Sequence, residues 1–140
     1  MNNNTEKILD SLSDTKSITA FLEENKEAFN LLNIGEYMEL EIEKRDLVKA
    51  DVIKASGINK RYFNEIIAGK KRPHRSYIIR MFLSVGLDFV DAQWYLKACE
   101  YSQLFVKTKR DSIIIYCLDK KLPVVECNKM LNKIGLENLG

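Results

Sequence analysis

The chain has 140 residues, 46% hydrophobic and 30% charged, with a formal net charge of +2. That balance excludes wholesale disorder, and the length suits one compact domain or one small domain with an extension. No apolar run approaches the roughly 18 residues of a membrane span, and the polar, acidic start lacks the basic and apolar regions of a secretory signal. A cytoplasmic location without a membrane partner is expected.

The sequence reads as all-α, because no segment of β-formers alternates with period two between turn signals. Residues 1–33 form an acidic helical leader. Ile8 and Leu12 are four apart, and Ile18, Phe21 and Leu22 share one face after the cap Ser17. Phe29–Leu32 leads into Asn33, which with Glu36 makes a capping pair for a helix to about Lys44, with Tyr37 and Leu40 facing the core. A second helix, about Val48 to Ser56, ends at Gly57, where glycine accepts a positive φ. Ile58 is an apolar residue in the turn, and Asn59 caps a helix from Lys60 to about Ala68, with Phe63, Ile66 and Ile67 inward. Gly69 closes it, and Lys70-Lys71-Arg72-Pro73 is an exposed loop.

The helix Arg75–Val85 is expected to bury Ile78, Ile79 and Phe82. The next, Phe89–Ala98 behind the cap Asp88, is expected to bury Val90 and Trp94, with Tyr95 a further candidate. After a connector, 99–107, Thr108 with Asp111 caps a helix carrying Ile113, Ile114, Tyr116, Cys117 and Leu118. Pro123 suits the first turn of the last helix, since it lacks only a donor that would go unpaired there.

Charge is segregated along this series. Residues 1–43 carry 3 Lys/Arg against 10 Asp/Glu, residues 44–80 carry 11 against 3, and residues 81–140 carry 8 against 7. A segment at +8 within a near-neutral chain points to an anionic partner. Cys99, Cys117 and Cys127 show no C-x-x-C spacing and sit in amphipathic stretches, where a free thiol behaves as a small buried apolar group. A zinc site needs four ligands, and the one histidine, His74, is far from Cys117 and Cys127 in sequence. No metal or other cofactor is expected. No Gly-rich phosphate loop or nucleophile elbow appears, so an enzyme is not expected either.

The stretch Leu47–Pro73 has the form of a helix, a glycine turn pinned by Ile58, and a capped second helix. Its segments Ser56-Gly57-Ile58-Asn59-Lys60-Arg61-Tyr62-Phe63-Asn64-Glu65-Ile66 and Gly69-Lys70-Lys71-Arg72-Pro73 resemble the lambda-repressor-like, or Xre/Cro-type, helix-turn-helix family. The resemblance covers roughly Gly35 to Ala98. It implies a five-helix core at 34–98 and a transcriptional regulator that binds double-stranded DNA sequence-specifically, with a recognition helix at about 60–68 in the major groove. It implies base contacts from Lys60, Arg61, Asn64 and Glu65. Phosphate-side contacts would come from Lys49, Asn59, Lys70, Lys71, Arg72, His74 and Arg75. Glu65 has two readings, an acceptor for a cytosine amino group or an ion-pair partner of Arg61 at i+4. The family position of Ile53 is commonly small and that of Ile67 usually polar, so Ile67 is expected to face an added element. The alternative function is a protein-interaction adaptor that uses the fold without DNA.

Residues 99–140 form a C-terminal helical extension, read as a hairpin that packs on the core or joins two copies. Ile113, Ile114 and Ile115 point in three directions about 100° apart. A partner would cover the third face, giving a homodimer, unless Leu104 and Phe105 cover it within the chain.

The acidic leader is expected to compete partly with phosphate for the basic segment. Deleting residues 1–28 should raise affinity for non-specific duplex DNA at low salt, with the gain fading as salt screens the charges. Unchanged or weaker binding by a folded truncated chain would exclude that competition.

Overall fold

A computed structural model describes residues 2–29 and 33–140, and among them there is helix, turn and loop but no strand. The α-helices are α1 (Asn2–Asp14), α2 (Ile18–Glu24), α3 (Ile34–Lys44), α4 (Lys49–Ser56), α5 (Lys60–Ile67), α6 (Arg75–Val85), α7 (Phe89–Ala98), α8 (Lys109–Asp119) and α9 (Val124–Ile134), with a 3-10 turn at Lys26–Phe29. No helix among the described residues is long and apolar enough to cross a membrane. The packing divides into two units, Met1–Leu31 and Leu32–Gly140.

In the first unit α1 packs on α2. Ser17 caps α2 by accepting from the Ala20 amide at 3.2 Å. Phe21 is buried, while Leu9, Leu12, Ile18 and Leu22 are exposed. The approach to α3 at residues 30–32 lies outside the described residues.

The second unit has one apolar core running from Ile34 to Leu139. Residues of the C-terminal extension, among them Leu104, Ile114, Leu118 and Leu131, belong to this core. Every residue of α6 from Ile78 to Leu83 is buried, and α3, α4, α8 and α9 all pack against this helix. The helix α8 meets α6, α7 and α9, which is why three consecutive isoleucines can all be accommodated. Ile114 is fully buried, and Ile113 and Ile115 are partly buried against the core. Their three directions are met within the chain, and no second copy is needed to cover them. Leu104 joins the core, whereas Phe105 stays exposed.

Leu40 and Val90, expected inside, are exposed at 50% and 60%. The inward face of α3 is set by Ile34, Met38, Glu41 and Ile42. The slot beside Leu40 goes to a carboxylate because that carboxylate is satisfied. Glu41 pairs with Arg45 at 3.5 Å and with Lys44 at 3.9 Å, and Arg45 donates onward to the Gly86 carbonyl at 3.1 Å. Burial and the Glu41 carboxylate hold the Tyr95 phenol well above its ordinary pKa, so it stays a donor.

The start of α3 crosses the end of α5 at Gly35. A Cβ on Gly35 would lie 2.1 Å from the Ile66 carbonyl oxygen and 2.8 Å from Ile67 Cα. These are backbone atoms, so the contact cannot be relieved by a rotamer change. Gly35→Ala must push α5 outward, and we expect a loss of about 1–3 kcal/mol in urea unfolding. A variant as stable as the parent would show that the two helices can separate freely.

Candidate nucleic-acid interface

The corner between α4 and α5 is built from local hydrogen bonds and one distant one. Gly57 takes φ +67°, which ends α4. Ser56 Oγ donates to the Ile53 carbonyl at 2.6 Å and accepts from the Ile58 amide at 3.1 Å, which fixes the turn and buries Ile58. Asn59 Oδ1 accepts from the amides of Arg61 and Tyr62 at 2.9 and 3.3 Å. Phe63 and Ile66 then anchor α5, both fully buried. Ile53 is only partly buried against the core, so its branched side chain sits at the edge of the α4 packing.

The distant bond comes from Arg80, in the middle of α6. Its Nε donates to the Ser56 carbonyl at 3.0 Å and its Nη2 to the Gly57 carbonyl at 2.7 Å. These carbonyls at the end of α4 have no helical partner, and a buried cation satisfies them. Sequence reasoning missed Arg80. The available signal was one charge inside the apolar run Ile78-Ile79-Arg80-Met81-Phe82-Leu83.

The outer face of α5 carries Lys60, Arg61, Asn64 and Glu65. Lys60 is exposed, the Arg61 side chain is 90% exposed, and Asn64 is half-buried. Glu65 lies between two cations, 3.5 Å from Arg61 Nε and 4.0 Å from Lys71 Nζ. Lys70 is exposed and makes no ion pair among the described residues. Lys49, at the start of α4, sits 3.8 Å from Glu39 Oε2. Lys60, Arg61, Asn64, Glu65, Lys70 and Lys71 thus belong to one helix and the loop leaving it.

Arg72 and Arg75 also make contacts within the chain that the sequence did not indicate. Both are turned toward the connector after α7. Arg72 Nη2 donates to the carbonyls of Cys99 and Glu100 at 3.0 and 3.1 Å, and its guanidinium lies 4.1 Å from the Tyr101 ring centre. Arg75 donates to the Ser102 and Gln103 carbonyls and pairs with both oxygens of Asp111 at 3.2 Å. These partners largely enclose the Arg75 guanidinium, whereas Arg72 stays exposed and is engaged through Nη2. The side-chain acceptors of Asn59 and His74 are likewise in use as caps, His74 Nδ1 accepting from the Ser76 amide at the start of α6. These two residues shape helix ends. Tyr101 completes the closure by donating to the Pro73 carbonyl at 2.7 Å. Beside it lies a cleft of about 530 Å³ lined by His74, Arg75, Ser76, Tyr101 and Arg110 among others. Among the described residues, no group of three His, Cys, Asp or Glu side chains converges as metal ligands.

The Arg75–Asp111 pair is mostly buried, with side chains 19% and 11% exposed. Removing one partner leaves the other charge buried and unpaired. Arg75→Ala is expected to cost about 3–5 kcal/mol in urea unfolding, while Lys70→Ala should stay within about 0.5 kcal/mol. Equal stabilities would show that Arg75 does not hold the loop to the connector.

Comparison of the chain with protein-family models, with curated proteins and with solved structures gives no match.

Proposed function

We propose that α3–α7 form a lambda-repressor-like, Xre/Cro-type helix-turn-helix core, and that the chain is a sequence-specific DNA-binding transcriptional regulator. One observation carries this reading. The inner face of α5 is locked by Phe63 and Ile66, while its outer face and following loop present Lys60, Arg61, Asn64, Lys70 and Lys71. A helix held rigidly on one side and bearing amide and guanidinium groups on the other fits a major groove. Arg61 and Asn64 have the donors to read purine edges, and Lys60 reaches the same surface. Lys49, Lys70 and Lys71 supply phosphate contacts. Arg72 and Arg75 act indirectly, by fixing the loop that carries Lys70 and Lys71.

The adaptor reading also has an observation in its favour. A shallow groove of about 240 Å³ between α3 and α5 is lined by Glu36, Glu39, Leu40 and Ile67, and it exposes apolar surface to solvent. The apolar Ile67, read from the sequence as facing an added element, is one of its walls. A two-fold dimer through α8 and α9 would have to use the exposed Tyr116, Val125 and Ile134 rather than the three isoleucines.

Selection from random duplex DNA separates the readings, since an adaptor enriches no sequence at moderate salt. On the selected site, Arg61→Ala should cost about 1–3 kcal/mol and relax preference at one position. Lys71→Ala should weaken cognate and random duplexes alike and lower the salt slope by about 1. Identical effects of the two changes on both kinds of DNA would overturn the division into base and phosphate contacts.

A further inference from the structure

The cleft beside Tyr101 is lined by the start of α6, the connector and the start of α8. Its volume of about 530 Å³ falls within the range of small-molecule sites, about 300–1,000 Å³. Arg110 lines it and makes no ion pair among the described residues. Its Nε donates to the Glu137 carbonyl at 2.8 Å, and its Nη2 donates to Ser76 Oγ at 3.2 Å and to the Asn138 carbonyl at 3.3 Å. Its Nη1 makes no hydrogen bond among the described residues. Ser76 Oγ accepts from Arg110, which leaves the hydroxyl hydrogen to donate. His74 Nδ1 accepts from the Ser76 amide at 3.3 Å, so the neutral ring carries its proton on Nε2. Three residues of one cleft thus hold donors not used within the chain.

Charge favours an anion. Arg72, Arg75 and Arg110 stand on or beside this lining, against the two acids Glu100 and Asp111. We propose that the cleft binds a small organic phosphate, a phosphate monoester on a polar body.

A carboxylate is held best by two parallel N–H groups on one edge of a guanidinium. The Nε hydrogen and both Nη2 hydrogens of Arg110 are taken, so neither such edge is left whole. What remains is single donors on separate residues, which suits an anion whose oxygens point in several directions. Glu100 is exposed and carries the ligand's own sign of charge, so it opposes binding. Tyr101 and Arg75 already tie the start of α6 to the connector, and an occupant of the cleft adds a further tie behind the loop of Lys70 and Lys71. The role of an effector site rests on the DNA-binding reading; the binding of phosphate does not.

The test is a titration of the isotope-labelled full chain with glycerol phosphate, without DNA, followed by amide NMR, with glycerol as the control. Saturable shifts should appear at residues 74–76 and 100–110, and glycerol should cause none. His74→Asn keeps a capping acceptor and loses the ring donor, and it should weaken binding about tenfold. Glu100→Gln removes the opposing charge and should tighten binding about threefold, which a merely structural role would not produce. The proposal is overturned by the absence of saturable shifts, by shifts confined to residues 60–71, by an equal response to glycerol, or by a Glu100→Gln variant that does not bind more tightly. A short DNA duplex that displaces glycerol phosphate from these amides would put a backbone phosphate in the cleft and overturn it as well. Where His74→Asn does not fold, Glu100→Gln decides, since that side chain is exposed and makes no ion pair among the described residues.

Discussion

The buried guanidinium of Arg80 is the contact on which the α4–α5 corner depends. A cation in the middle of an apolar helix is costly unless its donors are met, and Arg80 meets them with two carbonyls that also need a donor. Each side of the contact removes the penalty of the other. The core helix α6 is thereby tied to the exact turn that sets the direction of α5. The ring of Tyr77, 5.2 Å from the guanidinium carbon, flanks it on the same helix. Because α8 and α9 pack on α6 as well, the C-terminal helices support the helix that holds the corner.

What was legible in the sequence was what is local. Ser17, Asn33, Asn59, Asp88 and Thr108 all cap the helices expected of them, since a cap involves a side chain and an amide two or three residues on. Helix ends at Gly57 and Gly86 follow from the left-handed conformation that each adopts. The contacts that were not legible are those made with distant partners. Arg72 reaches a carbonyl 27 residues away and Arg75 a carboxylate 36 residues away. A run of cations reads as one surface in sequence, but the structure divides it. Leu40 was misplaced for a related reason, because the satisfied carboxylate of Glu41 takes the inward position that periodicity reserves for an apolar side chain.

Side-chain bonds tie the loop after α5 to the connector. Tyr101 holds Pro73, Arg72 holds the end of α7, and Arg75 holds both the connector and α8. Gln93 adds a fourth tie, accepting from the Leu104 amide at 2.6 Å and donating to its carbonyl at 3.0 Å. Backbone groups that would otherwise be unpaired in an irregular segment are thus met by side chains. The region expected to be an appended hairpin is part of the frame that positions Lys70 and Lys71.

On the proposed reading, Glu65 gives the surface its selectivity. Its pairs with Arg61 and Lys71 join solvent-exposed cations, and such pairs contribute little, so an approaching duplex can break them at small cost. The carboxylate itself cannot leave, because its helix is fixed by Phe63 and Ile66. It then faces the groove as an acceptor without a donor. A cytosine amino group can satisfy it, whereas the acceptor-only edge of guanine repels it. Specificity at that position would rest as much on rejecting the wrong base as on attracting the right one. On that reading the same carboxylate also offsets part of the positive charge offered to phosphate, whether or not its ion pairs persist. A basic surface with one fixed acid therefore gives up some affinity and gains discrimination between sites.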